Sequence, residues 1–188
     1  MKKPIKKVVI VGGGTAGWLT AALLKKLLGF VVDIELVESE EIGTVGVGEA
    51  TIPPIRLVNN VLGIQEAEFL RETKATMKLA IKFENWRVPG ESYYHTFGAA
   101  GKAMAFCQFH HLWKRAQTMG EKAGLWDYDL NYLCAKEGRF AHINSKDPIL
   151  ELPYAYHFDA SLYAKFLRKY CEKLGVVRSE GLIEKVAQ

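Results

Sequence analysis

The chain has 188 residues, of which 49% are hydrophobic and 24% are charged. This balance is typical of a globular protein and excludes a wholly disordered or low-complexity chain. The net charge of +4 resides in Lys2, Lys3, Lys6 and Lys7, because the other 21 basic residues balance 21 acidic ones. A short basic end is typical of a solvated terminus, so the sequence predicts no nucleic-acid partner.

The cysteines and the N-terminal segment bear on the compartment. Cys107, Cys134 and Cys171 form no Cys-x-x-Cys pair, which favours reduced thiols in a cytoplasmic protein. Lysines precede an apolar run, as they do in a signal peptide, but Gly12–Gly14 interrupt that run. We therefore expect neither a signal peptide nor a membrane span.

The predicted fold begins with a strand–helix–strand unit. Lys7–Val11 has apolar residues on both faces, as a buried parallel strand does. Thr15–Leu28 has helical periodicity, and Val32–Glu38 reads as a second strand. The two strands are expected to be parallel, joined by a right-handed crossover. A glycine-rich loop, Ser39–Thr51, follows them.

The remaining elements continue an α/β pattern. We predict further helices over Pro53–Leu62, Gln65–Thr73, Ala105–Met119 and Asp127–Lys136, and strands over Met77–Trp86, Tyr93–Phe97, Tyr154–Phe158 and from Val176–Arg178 onward. Asp159 is the expected N-cap of a long amphipathic helix that ends before Gly175. Gly181–Val186 reads as one arm of a hairpin without its return arm, so we expect a larger fold that is incomplete at the C-terminus.

A Gly-x-Gly-x-x-Gly motif follows the first strand and opens the first helix. Gly12 allows a tight turn, Gly14 lets the backbone approach a pyrophosphate, and Gly17 lets the helix pack closely. The helix N-terminus offers unpaired N–H groups to the phosphates. Glu38 ends the second strand, where an acidic residue accepts hydrogen bonds from a ribose. The motif predicts a dinucleotide site but leaves FAD and NAD open.

Five separated stretches stand out in order along the chain: Gly12-Gly13-Gly14-Thr15-Ala16-Gly17-Trp18, Gly46-Val47-Gly48-Glu49-Ala50-Thr51-Ile52-Pro53, Lys78-Leu79-Ala80-Ile81-Lys82-Phe83-Glu84-Asn85-Trp86, Tyr94-His95-Thr96-Phe97-Gly98, and the stretch from Tyr156 to Arg168. Together they resemble the motifs of the flavin-dependent tryptophan halogenases. The resemblance runs from the first strand to the last residue. It implies an FAD-binding Rossmann-like fold over residues 1–188, with residues 78–158 contributing to the substrate side.

The resemblance also implies the cofactor and the reaction. Reduced FAD, supplied by a separate flavin reductase, would generate hypohalous acid from oxygen and chloride or bromide, and this acid would halogenate tryptophan or another indole. The implied cofactor residues are Gly12, Gly13, Gly14, Thr15, Ala16, Gly17, Glu38, Ser39, Ile42, Val45, Gly46, Val47, Gly48, Glu49, Ala50 and Thr51. A homodimer is left open as the oligomeric state.

By position in the motif, Lys78 is the implied catalytic lysine. An ammonium group can hold an oxidant by hydrogen bonding, and burial can free a nucleophilic amine. Lys82 is the competitor, since it has the same strand parity as Lys78. His95 and Phe97 share a strand face, and the resemblance implies that this pair sandwiches the indole.

Two alternatives remain, and a metal site is not predicted. The family's Trp-x-Trp-x-Ile-Pro motif is missing from these 188 residues, so a related flavin-dependent monooxygenase and a non-enzymatic, truncated FAD-binding remnant stay open. The same omission makes a fragment of a longer enzyme the expectation. His110 and His111 are adjacent on a predicted helix, so their side chains diverge and make a poor metal chelate.

Overall fold

A computed structural model describes residues 3–42, 48–143 and 150–186 of the chain. The helices are α1 (Thr15–Leu28), α2 (Pro54–Leu62), α3 (Glu66–Thr73), α4 (Phe109–Thr118), α5 (Leu130–Lys136) and α6 (Ala160–Lys173), with a 3₁₀ turn at Leu125–Tyr128. The strands are β1 (Lys7–Val11), β2 (Asp33–Glu38), β3 (Gly48–Ala50), β4 (Thr76–Lys78), β5 (Ala80–Glu84), β6 (Ser92–Thr96), β7 (Ala155–Asp159) and β8 (Val177–Glu180). They form sheets in the orders β1-β2-β8, β3-β7-β4 and β5-β6.

The predicted strand–helix–strand unit is confirmed. Strand β1 pairs with β2 in parallel, with Val9 opposite Glu35, and β8 joins the other side of β2 in parallel. The chain thus has the predicted α/β fold, built on a parallel sheet. The bounds of β1 and α1 are those that the sequence predicts.

Several predicted elements differ from the structure. The predicted strand Met77–Trp86 is divided at Leu79 into β4 and β5. The predicted helix Ala105–Met119 is wrong in its first turn, because Ala105 has a positive φ and lies within a turn closed by the Met104–Cys107 bridge. The predicted hairpin arm over Gly181–Val186 is also wrong, since those residues have no regular secondary structure.

The chain divides into two compact units, and the first contains the parallel sheet. It comprises residues 1–50, 56–76 and 157–188. Helix α1 buries Trp18, Ala21 and Ala22. Helix α6 packs against α1. Its N-cap is the predicted Asp159, whose carboxylate accepts hydrogen bonds from the backbone N–H groups of Ser161 and Leu162.

Three aromatic rings form part of the core of this first unit. The Phe69 ring meets Phe158 edge-on at a centroid separation of 5.6 Å, and Tyr163 at 5.4 Å. Both Phe69 and Tyr163 are fully buried. Edge-to-face pairs of this kind add to the stabilisation that burial provides.

Strand β1 is less buried than the sequence predicts. It forms one edge of its three-stranded sheet, and the side chains of Val9 and Val11 are 51% and 57% exposed. The prediction of burial on both faces is therefore wrong for the described part of the chain.

The second unit comprises residues 51–55 and 77–156. Strands β5 and β6 form an antiparallel hairpin in which Ile81 lies opposite His95 and Ala80 opposite Thr96. Among the residues of this unit that the structure describes, the buried polar side chains are those of Lys78, Thr96, Asp129 and Asn131. Among the residues that the structure describes, in either unit, no helix has the length and apolar character needed to cross a membrane.

Candidate functional site

The glycine motif forms a tight turn between β1 and α1. Gly12 has φ +114°, a backbone conformation that residues other than glycine rarely adopt. Its N–H donates to the Val37 carbonyl at 2.9 Å. A Cβ at Gly17 would lie 1.9 Å from the Gly12 carbonyl oxygen. The first and third glycines are thus required by the turn and by its contact with α1.

The second glycine of the motif, Gly14, leaves open space. A Cβ there would meet no atom within 4 Å. Gly14 is the N-cap of α1, no side chain caps the helix, and its first turn carries no acidic residue. The unpaired backbone N–H groups at this end therefore create a positive potential, which would favour binding of a pyrophosphate.

The two residues between Gly14 and Gly17 differ in exposure, since Thr15 is half-buried and Ala16 is exposed. The Thr15 hydroxyl donates to the Ala160 carbonyl at 3.4 Å, so it is already engaged within the protein. Ala16 is exposed in the first turn of α1.

Glu38 lies beside the glycine turn, but ionic partners already hold it. A Cβ at Gly13 would lie 1.4 Å from Glu38 Oε2, so this carboxylate covers Gly13. Glu38 Oε1 accepts a hydrogen bond from Arg178 Nε at 2.6 Å and lies 3.4 Å from Arg168 Nη1, while Trp18 Nε1 donates to Oε2 at 3.3 Å. A ribose would therefore meet a carboxylate with both oxygens already engaged.

Sequence reasoning missed the contribution of Arg178. Its guanidinium also pairs with Glu40 at 3.0 Å, and the hydrogen bond that it donates to Glu38 is the main reason that the pKa of Arg178 is raised. No local sequence pattern marks Arg178, because it lies on β8, which becomes a neighbour of β2 only in the folded sheet.

The loop after β2 is described in part. Ser39 Oγ accepts from the Glu41 N–H at 3.2 Å, and Ile42 is exposed. Val45, Gly46 and Val47 lie outside the described residues, so their predicted cofactor contacts have no structural account.

The loop was not expected to contain a strand, yet Gly48, Glu49 and Ala50 form β3. They pair antiparallel with the end of β7, with Glu49 opposite Phe158. The extended conformation at the end of the loop therefore depends on a partner strand more than 100 residues later in the chain.

Lys78 is a buried ionisable residue of the second unit. It is only 7% exposed, and its Nζ donates to the Thr51 carbonyl at 3.0 Å. The same nitrogen lies 5.6 Å from the centroid of the Phe97 ring, within the range of a cation–π contact. Burial lowers the pKa of Lys78 from its ordinary value.

Thr51 is itself held firmly in the second unit. Its N–H donates to the Tyr156 carbonyl at 3.0 Å, and its hydroxyl both donates to that carbonyl and accepts from the Tyr156 N–H. The carbonyl that receives the Lys78 ammonium is thus fixed to β7.

Lys82 has a different environment from Lys78. It is exposed and forms an ion pair with Glu84, which raises its pKa. The parity argument that put both lysines on one face fails, because the strand is interrupted at Leu79. Of the two lysines, only Lys78 is buried.

The two residues predicted to bind the substrate, His95 and Phe97, differ in exposure. His95 lies on β6 and is exposed, whereas Phe97 is half-buried directly after the strand. The Phe97 N–H donates to the Leu79 carbonyl at 3.1 Å. The structure therefore brings Phe97 close to Lys78, and it records no contact between His95 and that lysine.

No three His, Cys, Asp or Glu side chains converge in a way that could hold a metal ion within residues 3–42, 48–143 and 150–186. The expectation that the His110 and His111 side chains diverge is wrong, because their rings contact each other at 3.9 Å between centroids. Both histidines are exposed on α4.

Comparison with known proteins identifies the family. The family model described as tryptophan halogenase matches residues 7–188. The chain is 40% identical over 205 residues to the tryptophan 7-halogenase RebH of Lentzea aerocolonigenes. The match covers 99% of this chain and 38% of that enzyme. This chain therefore belongs to the tryptophan halogenase family.

Solved structures agree. A flavin-dependent halogenase from Xanthomonas campestris superposes with a TM-score of 0.91 at 49% identity, over 98% of this chain and 37% of the other. The flavin-dependent halogenase BrvH from Brevundimonas sp. BAL3 gives a TM-score of 0.85 at 39% identity, over 97% and 37%. The chain thus spans less than two-fifths of the length of these relatives.

Proposed function

We propose that this chain is the nucleotide-binding and lysine-bearing part of an FAD-dependent halogenase that acts on tryptophan or another indole. The observation that carries the proposal is Lys78, a buried lysine held between the Thr51 carbonyl and the Phe97 ring in a member of this family. Residues 78–158 would contribute the substrate side. Three free cysteines fit a cytoplasmic setting.

The glycine turn would hold the dinucleotide. Its open Gly14 and the uncapped start of α1 fit the pyrophosphate. Glu38, covering Gly13, would approach the ribose together with Arg178. The other proposed contacts come from the turn and the following loop: Thr15, Ala16, Ser39, Ile42, Val45–Val47, Gly48, Glu49, Ala50 and Thr51.

Reduced FAD, when bound and supplied with oxygen and a halide, would provide hypohalous acid. Lys78 would receive it in one of two ways. As an ammonium it has three N–H donors, one of which goes to Thr51, and the others could hold the acid by hydrogen bonds. As a neutral amine it could attack the halogen, forming an N–halogen bond as the halogen–oxygen bond breaks; the hydroxide released takes the proton lost from nitrogen and becomes water.

Burial favours the second route because it lowers the pKa of Lys78 and so increases the fraction of neutral amine. The indole carbon would then attack the halogen held on Lys78. Phe97 is placed to present an aromatic face next to that nitrogen, and His95 is proposed to complete the pocket from β6.

The nucleotide part of this proposal can be tested with the chain itself. FAD is titrated into the purified protein while flavin fluorescence is followed, and ADP is added as a competitor that carries the same pyrophosphate and ribose. We expect saturable FAD binding that ADP displaces and that Gly14→Val removes. Equal affinity in the wild type and in folded Gly14→Val would exclude the turn as the site.

A further inference from the structure

A cluster of three buried polar side chains lies in the second unit, next to the lysine strand. This Asn131 cluster consists of Thr96, Asp129 and Asn131, which are 8%, 0% and 1% exposed. Thr96 Oγ1 donates to Asp129 Oδ2 at 2.5 Å, and Asp129 Oδ1 accepts from the backbone N–H of Tyr132 at 3.1 Å. Asp129 thereby caps α5 and fixes the start of the helix that carries Asn131.

The Asn131 amide joins two backbone carbonyls that are distant in sequence. Its Nδ2 donates to the Leu79 carbonyl at 3.1 Å and to the Pro153 carbonyl at 2.6 Å. Both partners are acceptors, so the position requires an NH₂ group with two donors. Asn131 Oδ1 packs closely against Gly98, where an added Cβ would lie only 2.6 Å from that oxygen, so this arrangement requires glycine at position 98.

Each of these carbonyls belongs to a segment that adjoins Lys78 or one of its partners. Leu79 directly follows Lys78, and its carbonyl also accepts the Phe97 N–H at 3.1 Å. Pro153 leads into β7, where Tyr156 holds Thr51 through the hydrogen bonds described above. Asn131 therefore connects the backbone beside Lys78 to both groups that surround its ammonium, Phe97 and Thr51.

We propose that Asn131 is a positioning residue that holds Lys78 between Thr51 and Phe97. It does not touch the halogen or the indole; it acts by tying together the segments that enclose the lysine nitrogen. This inference rests on the proposed function for its catalytic meaning, whereas the geometry it describes belongs to the chain alone.

The direct test follows the titration of Lys78 by NMR in the full chain with ¹³C-labelled lysine. Asn131→Leu keeps the shape of the side chain, adds no charge and removes both donors. Lys78 in the wild type should titrate below the exposed lysines. In Asn131→Leu its pKa should rise toward the ordinary value of about 10.4, because the lysine is released into water.

A matched control and a milder variant separate positioning from folding. Asn60→Leu makes the same exchange at an exposed position of α2 and should leave the Lys78 titration unchanged. Thr96→Val removes only the hydroxyl that donates to Asp129 and should move the Lys78 pKa in the same direction by less. If Asn131→Leu does not fold, Thr96→Val serves as the test variant.

The possible outcomes are distinct. A folded Asn131→Leu or Thr96→Val protein with lower thermal stability but a wild-type Lys78 titration would show that the cluster is only structural, and would overturn the inference. A shifted titration supports it. Failure of the wild-type chain to bind FAD saturably would instead reject the nucleotide part of the proposed function, and would leave the NMR result on Lys78 interpretable.

Discussion

The Lys78 ammonium nitrogen lies 3.0 Å from the carbonyl oxygen of Thr51, a residue 27 positions earlier in the chain. Thr51 belongs to the second glycine-containing motif and Lys78 to the motif of the implied catalytic lysine. The contact therefore joins two sequence signatures that no local pattern would connect. It gives a buried lysine a single neutral acceptor, with no carboxylate among the hydrogen-bond partners found for its nitrogen in the described chain.

Burial without a counter-ion should make Lys78 costly for stability at neutral pH. Its pKa is lowered in the folded state, so the penalty is complete below that pKa and is relieved as the pH rises toward the ordinary value, a range in which the unfolded chain binds more protons. We expect Lys78→Met to stabilise the chain by about 1 kcal/mol at pH 7. Urea unfolding at pH 7 and pH 10 would measure this gain, which should shrink at the higher pH. A destabilised Met variant at pH 7 would contradict the account.

The glycine motif allows binding and folding to be separated. Gly17→Ala should destabilise the fold by about 1–3 kcal/mol, because its Cβ would lie 1.9 Å from the Gly12 carbonyl oxygen. Gly14→Val should remain folded, since its site has open space and a φ of −75° that valine adopts. Thermal unfolding and FAD titration of both variants would test this division. An unfolded Gly14→Val and an unaffected Gly17→Ala would reverse the assignment.

The aromatic core of the first unit should dominate its stability. Phe69→Ala removes a fully buried ring that contacts Phe158 and Tyr163, and we expect a loss of about 3–5 kcal/mol. Phe30→Ala is the matched control, because Phe30 is exposed and its removal should change the free energy of unfolding by less than about 0.5 kcal/mol. Denaturant unfolding monitored by circular dichroism gives both values, and comparable losses would argue against this core.

The edge strand β1 should make the isolated chain prone to association. It carries the exposed side chains of Val9 and Val11, and an unpaired apolar edge is a template for another strand. Val9→Lys should therefore reduce self-association in size-exclusion chromatography with light scattering. Thr20→Lys adds the same charge on an exposed position of α1 and should have little effect. A monodisperse wild type would exclude the prediction.

Local sequence patterns predicted the elements that are stabilised locally. The bounds of α1 and the Asp159 cap of α6 follow from helical periodicity and from a side chain that satisfies nearby N–H groups. Strand β3 was missed because its extended conformation depends on β7, far along the chain. The run of apolar residues in β1 predicted burial on both faces, but no described element covers Val9 and Val11.

The candidate site shows the same division between local and long-range information. Lys78 and the glycine turn were found through motifs that are continuous in sequence. Arg178 and Asn131 were missed because each acts on a residue about 50 or more positions away, Arg178 on Glu38 and Asn131 on Leu79. A strand arginine or a helical asparagine has no distinctive local signal, so only the folded chain reveals its partners.

The role of Lys78 can be measured in a chimera in which this chain replaces the equivalent part of the Xanthomonas campestris halogenase. The chimera receives a flavin reductase, NADH, FAD, oxygen and bromide, with tryptophan or indole as substrate, and mass spectrometry follows the brominated product. Variants Lys78→Ala and Lys82→Ala are compared at equal FAD occupancy, Lys82 being the exposed control. The account predicts bromination by the parent and by Lys82→Ala, and none by Lys78→Ala. Undiminished bromination by Lys78→Ala would contradict it.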